Sequence, residues 1–285
     1  MYKYKLGAIE LTVLEAGPYY MDGGVLFGVV PKKLWAGVLS PDENNRVAMA
    51  THPLLISTSR HTILVDTGYG NKLSEKVRRN YGMASDSALL DELGAAGVEP
   101  EDVDTVILSH LHFDHAGGLT TLDDDGVLQI TFPNAVHLVQ RAEWDEATRP
   151  NERTRAGYRP DDFLPVKEAG QFKLLEGNYR VTTGVQIRVT GGHTTAHQIV
   201  RVTSKKQRAY FAGDILPVTS HVRLPWIAAV DLLPLTTLEE KRYLLRSAAR
   251  RGDMVFFYHD AECPAAKIVA QGKDKFDYVP AGPSQ

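Results

Sequence analysis

Residues 105–118 read Thr105-Val106-Ile107-Leu108-Ser109-His110-Leu111-His112-Phe113-Asp114-His115-Ala116-Gly117-Gly118. The unbroken apolar run at the head of this stretch has the character of a parallel strand buried on both faces. Three imidazoles and a carboxylate follow it directly. They are therefore expected at the carboxyl end of that strand, where open α/β sheets place their sites. A lone histidine is more often packed or solvated than a ligand, but this density of imidazole and carboxylate is a metal-binding pattern. Alternate side chains of an extended segment share a face, which pairs His110 with His112. A turn beginning near Asp114 would swing Asp114 and His115 toward a neighbouring position, so one stretch is expected to serve two ions. Ala116-Gly117-Gly118 is read as letting the backbone turn tightly around them.

Working outward, four shorter signals each close an apolar, β-rich run. They are Ile63-Leu64-Val65-Asp66-Thr67-Gly68 upstream, then Gly191-Gly192-His193-Thr194, Ala212-Gly213-Asp214 and Phe256-Phe257-Tyr258-His259-Asp260 downstream. Together with H-x-H-x-D-H, in this order, they resemble the metallo-β-lactamase superfamily from Asp66 to His259. The resemblance implies an α/β (α+β) fold, the four-layer αββα sandwich. Residue by residue, it implies that His110, His112 and His193 hold one ion, that Asp114, His115 and His259 hold the other, and that Asp214 bridges them. Asp114 and Asp214 are then the carboxylates expected to act in catalysis. Two zinc ions are the implied cofactors, with manganese, cobalt or iron(II) as substitutes. Asp66 is read as supporting a ligand from behind, because a metal-bound histidine needs an acceptor for its other ring nitrogen.

The composition is that of an ordinary globular protein and argues against several other classes. The 285 residues are 43% hydrophobic and 24% charged, with a formal net charge of -3. No apolar run is long enough to span a bilayer, and no basic tract offers the footprint of a nuclease, so neither membrane nor nucleic acid is an expected partner. Cys263 is the single cysteine. An intramolecular disulfide is thus excluded, and Met1-Tyr2-Lys3-Tyr4-Lys5 lacks the apolar core of a signal peptide, so the expected location is cytoplasmic. One domain over residues 1–285 is expected, since large sandwiches of this length form single domains.

Along the chain, 6–14 reads as a strand and 21–35 as an apolar, glycine-rich loop. The wider segment 18–40 is expected to cover the site or to form a homodimer contact. Segments 47–57 and 61–66 read as a hairpin delivering Asp66, and 85–96 as an amphipathic helix. Asp123-Asp124-Asp125-Gly126 reads as a solvated turn and not a calcium loop, because no glutamate follows at the twelfth position. A strand at 135–139 leads to a helix at 141–148, and 149–162 reads as an irregular connection lining the cleft. Strands at 185–189, 198–203 and 208–212 form the second half, followed by a helix at 237–251 opened by a threonine cap and a strand at 254–258.

Two ions roughly 3.5 Å apart can generate a hydroxide at neutral pH, polarise a carbonyl and stabilise the departing oxygen. The expected function is hydrolysis of an ester or lactone. Finer similarities, in His110 to Leu119, Phe132-Pro133-Asn134-Ala135, Glu143-Trp144, Gly213-Asp214-Ile215-Leu216-Pro217, His221 and Pro225-Trp226, resemble the YtnP-type quorum-quenching lactonases, which open N-acyl homoserine lactones. The alternatives are an organophosphate triesterase of the methyl parathion hydrolase type, and a redox or structural use of the fold. Smaller lactonases of the family carry a tyrosine three positions after the bridging aspartate, where this chain has Pro217. His221 is a candidate substrate contact, whereas His52, His61, His137 and His197 are read as structural. Ser109 is read as supporting the turn, and Cys263 lacks the local motif of an activated thiol.

Overall fold

The two halves of the chain each build one sheet. In the computed structural model, which describes residues 1–283, all seven strands of the first sheet come from residues 2–175 and all seven of the second from residues 179–280. The first sheet runs in the order Tyr2–Leu6, Ile9–Val13, Leu54–Ser57, Thr62–Val65, Thr105–Ile107, Val136–Gln140, Phe172–Leu175. Its last four strands are parallel, with Val65 opposite Ile107 and Ile107 opposite Leu138. The second runs Tyr179–Thr182, Val185–Val189, Gln198–Ser204, Gln207–Phe211, Met254–Phe256, Ala265–Gly272, Lys275–Pro280, with one parallel pair, Gln207–Phe211 beside Met254–Phe256.

The strand Thr105–Ile107 shows why its sequence is apolar throughout. Ile107 faces the other sheet and packs in a core with Leu11, Ile56, Val65, Ile187, Val200, Phe211 and Phe256. Val106 and Leu108 face outward, into a second core with Leu89 and Leu93 of the helix Leu89–Ala95, Ala147 of Arg141–Thr148 and Phe163 of Pro160–Glu168. On the far side, Leu244, Leu245 and Ala248 of the long helix Pro234–Arg251 cover the second sheet over Tyr210 and Val255. The order of layers is helix, sheet, sheet, helix, the expected αββα sandwich. Among the described residues no helix is long and apolar enough to cross a membrane.

Several boundaries differ from the sequence reading, each for a local reason. The strand expected over 6–14 is a hairpin, because Gly7 takes a φ of 62° and reverses the chain. The loop expected at 21–35 contains two short helices, Gly23–Phe27 and Lys32–Trp35. The first is capped by Asp22, whose Oδ1 accepts from the Gly24 and Val25 amides. Helices of four or five residues are too short to display a 3.6-residue period. His52-Pro53 breaks the segment 47–57: Arg46–Thr51 pairs with Gly17–Asp22 in a separate ribbon, and only Leu54–Ser57 forms the expected hairpin with Thr62–Val65. The long helix begins at Pro234 with Leu233 as its cap residue and no side-chain cap, so the threonine cap is replaced by a proline at the first helical position. The turn at 123–126 is polar as expected, with Asp123 Oδ1 accepting from the Asp125 and Val127 amides.

Candidate metal centre

The strands Thr62–Val65, Thr105–Ile107, Gln207–Phe211 and Met254–Phe256 deliver Asp66, the His110–His115 stretch, Asp214 and His259 to one edge of the sandwich. After Ser109 the chain stays extended to His112, then turns helically over Phe113–Ala116 and so redirects Asp114 and His115. His112 Nδ1 lies 2.9 Å from His110 Nε2 and 3.1 Å from His193 Nε2. This is one cluster. In the other, His115 Nε2 and His259 Nε2 stand 3.2 Å apart, with Asp114 Oδ1 3.9 Å from the former and Oδ2 3.7 Å from the latter. Asp214 lies between them. Its Oδ1 is 3.2 Å from both His115 Nε2 and His259 Nε2, and its Oδ2 is 3.3 Å from His193 Nε2.

All seven expected ligands therefore converge, and the donor set fits divalent cations. Imidazole nitrogens facing one another at about 3 Å need a cation or a proton between them, and mixed imidazole and carboxylate donors suit zinc. Asp214 Oδ1 is buried without a hydrogen-bond partner, a costly state that a cation relieves.

Behind the clusters, the other ring nitrogens of His115, His193 and His259 are occupied, which fixes the orientation of those rings. His115 Nδ1 meets Asp66 Oδ2 at 2.8 Å. His193 Nδ1 meets Asp231 Oδ1 at 2.8 Å. His259 Nδ1 lies 2.9 Å from the Ala50 carbonyl and 3.0 Å from the Tyr19 hydroxyl, which also donates to Asp114 Oδ2 at 3.2 Å. Ser109 supports the turn through Asp66, to whose carboxylate both its amide and its hydroxyl donate at 2.6 Å. The buried Glu143 ties two ligand loops together, accepting from the Leu111 amide at 3.0 Å and the Thr194 hydroxyl at 2.5 Å. Ala116-Gly117-Gly118 runs from the helical turn into a 3-10 turn, and it also packs closely: a Cβ on Gly118 would lie 2.2 Å from the Thr67 carbonyl oxygen.

Charge follows from this burial. Burial, then the neighbouring imidazoles, hold His110 and His112 well below the usual histidine range, leaving their lone pairs free. Burial also pulls on His115, but Asp214, Asp114 and Asp66 outweigh it and raise that imidazole well above its ordinary value. For Asp214, burial pushes upward, and His115, His259 and His193 overcome it, holding the carboxyl well below its ordinary value.

A cavity of about 390 Å³ opens onto His112, Asp114, His193 and Asp214. Met21, Val25, Val230 and Leu232 give it an apolar wall, and Arg153 from the irregular connection stands at its lining. His221 is not part of that lining. Its ring is buried against Phe27, centroids 5.4 Å apart and nearly parallel, and its Nε2 lies 3.0 Å from the Leu26 carbonyl oxygen. The structure thus gives His221 the task of pinning the 23–35 segment, in place of the expected substrate contact. Asp231, Glu143, Tyr19 and His197 were not read as site residues, since each sits outside the ligand motifs and is brought in by tertiary packing alone.

The sequence model of the Metallo-beta-lactamase superfamily matches residues 48–259. The chain belongs to this superfamily. It is similar to an N-acyl homoserine lactonase from Bacillus sp, 34% identical over 230 residues that cover 73% of this chain and 80% of the relative. Among solved structures it is similar to a probable metal-dependent hydrolase from Staphylococcus aureus, with a TM-score of 0.89 and 34% identity, covering 97% of this chain and 98% of the other. AidC, a dizinc quorum-quenching lactonase in complex with a product, superposes with a TM-score of 0.78 over 99% of this chain and 98% of its own; at 21% identity it shows the fold alone. The superfamily and these relatives make the chain an enzyme of the hydrolase class, built on a metal-binding site.

Proposed function

We propose that this chain is a dinuclear metal-dependent lactonase that opens the ring of N-acyl homoserine lactones. The observation that carries the reading is the division of Asp214, one oxygen toward each histidine cluster. His110, His112 and His193 would hold one ion, Asp114, His115 and His259 the second, and Asp214 both. Two divalent cations, zinc in the first place, would supply Lewis acidity and an activated water at this edge of the sandwich.

The chain's own residues do the rest. Tyr19, donating to Asp114 Oδ2, orients that carboxylate from within a buried pocket. Met21, Val25, Val230 and Leu232 offer an apolar wall to an acyl chain and keep bulk water from the reacting carbonyl. Water adds across the acyl carbon–oxygen bond, its oxygen entering the carboxylate while the ring oxygen leaves as an alcohol. The new carboxylate suits Arg153, whose cation lines the same cavity. Neither Ser109 nor Cys263 competes as a nucleophile: the Ser109 hydroxyl is committed to Asp66, and burial pushes the Cys263 thiol up to about 11.

The reading extends to a single domain, supported by a core drawn from both sheets, and to a cytoplasmic location, supported by a lone buried cysteine. The 18–40 segment covers the site through Met21 and Val25, while Val29 and Leu34 on its outer side favour contact with a second copy. Parallel steady-state rates of the zinc-loaded enzyme on an acyl homoserine lactone and on a phosphotriester test the substrate class. Higher kcat/KM on the lactone is expected; a faster phosphotriester reaction would transfer the site to organophosphate chemistry.

A further inference from the structure

We infer that His197, paired with Thr190, is a positioning residue that holds the backbone of Asp214 where its carboxylate reaches both clusters. The inference rests on the dinuclear reading for its consequence, though not for its geometry. His197 was read from sequence as structural, and the structure places its fully buried ring directly behind the bridging residue. Its Nε2 lies 3.1 Å from the Asp214 amide nitrogen. An amide donates only, so Nε2 must carry a lone pair and the proton must sit on Nδ1.

Thr190 is placed to match that tautomer. Its Oγ1 lies 3.0 Å from the His197 carbonyl oxygen and 2.8 Å from His197 Nδ1. A hydroxyl has one proton, and the carbonyl can only accept it. With Nε2 accepting from the Asp214 amide, the proton on Nδ1 faces a lone pair of Thr190 Oγ1, and the Thr190 proton is left for the carbonyl, which also accepts the Thr190 and Gly191 amides. The chain of donors runs Nδ1–H to Thr190, Thr190 O–H to the carbonyl, Asp214 N–H to Nε2. Gly213 makes room for this: at φ 49° it turns the chain after the strand, and a Cβ there would lie 2.6 Å from His197 Nε2. The residue before the bridging carboxylate is thus glycine both for its conformation and because the imidazole occupies the space.

The consequence concerns metal affinity and turnover, since partners behind metal ligands typically contribute 10–100-fold. Thr190→Val keeps the volume, leaves His197 in place and removes only the acceptor for Nδ1–H. His197→Phe keeps a planar ring and removes the acceptor for the Asp214 amide. His197→Gln can return an oxygen near the Nε2 position.

The primary measurement is the tautomer, read from imidazole nitrogen-15 shifts of the metal-free protein. Nδ1–H is expected for His197 in the wild type, with population of Nε2–H in Thr190→Val; an Nε2–H wild type overturns the inference whatever the metal count. Zinc affinity by chelator competition is the second readout. About tenfold weaker binding is expected for Thr190→Val and more for His197→Phe, with recovery in His197→Gln and with kcat, not KM, following the loss. Wild-type affinity in folded Thr190→Val and His197→Phe would overturn it. Binding of one ion by the wild type would instead count against the dinuclear reading, leaving the tautomer result to stand by itself.

Discussion

Asp231 Oδ1 stands 2.8 Å from His193 Nδ1, and both side chains are buried. The same distance separates Asp66 Oδ2 from His115 Nδ1 in the other cluster, so each cluster has one histidine braced by a carboxylate. The two braces differ in what else they hold. Asp66 also takes the Ser109 amide and hydroxyl, whereas Asp231 serves the ligand alone among the side-chain bonds described.

Asp231→Ala is therefore the cleaner probe of bracing. It is expected to lower zinc affinity by about 10–100-fold while the metal-free fold survives. Asp231→Asn keeps an acceptor for Nδ1–H and should fall between the two. Chelator competition together with circular dichroism checks this, and unchanged affinity in folded Asp231→Ala would remove the bracing role.

Asp214→Asn preserves volume and exchanges one carboxylate oxygen for an amide that cannot ligate. The loss of a shared ligand is expected to reduce kcat by about 10²-fold or more, several kcal/mol of transition-state stabilisation. The metal-free protein should stay folded but melt at a lower temperature, since the buried Asp214 carboxylate pairs with His115, His259 and His193. Near-normal turnover would exclude the bridge.

Arg153 donates from Nη2 to the Ala229 carbonyl at 2.8 Å, linking the irregular connection to the loop that carries Val230 and Leu232. Arg153→Ala removes one exposed bond, worth about 1 kcal/mol. A rise in KM of a few-fold is expected, with faster amide exchange over residues 228–232. A change confined to kcat would show that Arg153 acts on the chemistry instead of on the cavity wall.

Two buried histidines outside the candidate ligand set contribute to the acid sensitivity of the fold. Burial holds His137 at about 4, and burial followed by the Lys241 charge holds His221 at about 3, against an ordinary 6.5. Below pH 6.5 the unfolded chain takes up protons that the folded chain refuses, so stability falls as pH drops from 6.5 toward those values. At pH 5 the cost is about 2 kcal/mol for each group. Melting curves at pH 7 and pH 5 should converge for His137→Leu relative to wild type. Parallel pH dependence in the two proteins would contradict this origin.

The candidate ligands were legible because their motifs follow apolar runs, and strand ends are where side chains leave the sheet together. Asp66 was legible for the same reason. His197, Asp231 and Glu143 were not, because their roles depend on which loops meet after folding: Asp231 belongs to a segment of no regular structure, and Glu143 lies in a helix whose sequence reads as ordinary surface. His221 shows the converse failure. Its neighbourhood to the motif in sequence suggested a substrate contact, while its ring faces the other way, into Phe27. The 265–280 hairpin, absent from the sequence reading, completes the second sheet through pairing with Met254–Phe256.

The most direct test of the two-ion account is a zinc titration of the metal-free enzyme, following both lactone turnover and bound metal by elemental analysis. Activity should rise to its plateau at two equivalents per chain, with His110, His112 and His193 and then Asp114, His115 and His259 satisfied through the shared Asp214. A plateau at one equivalent, or full turnover that survives exhaustive chelation, would contradict it.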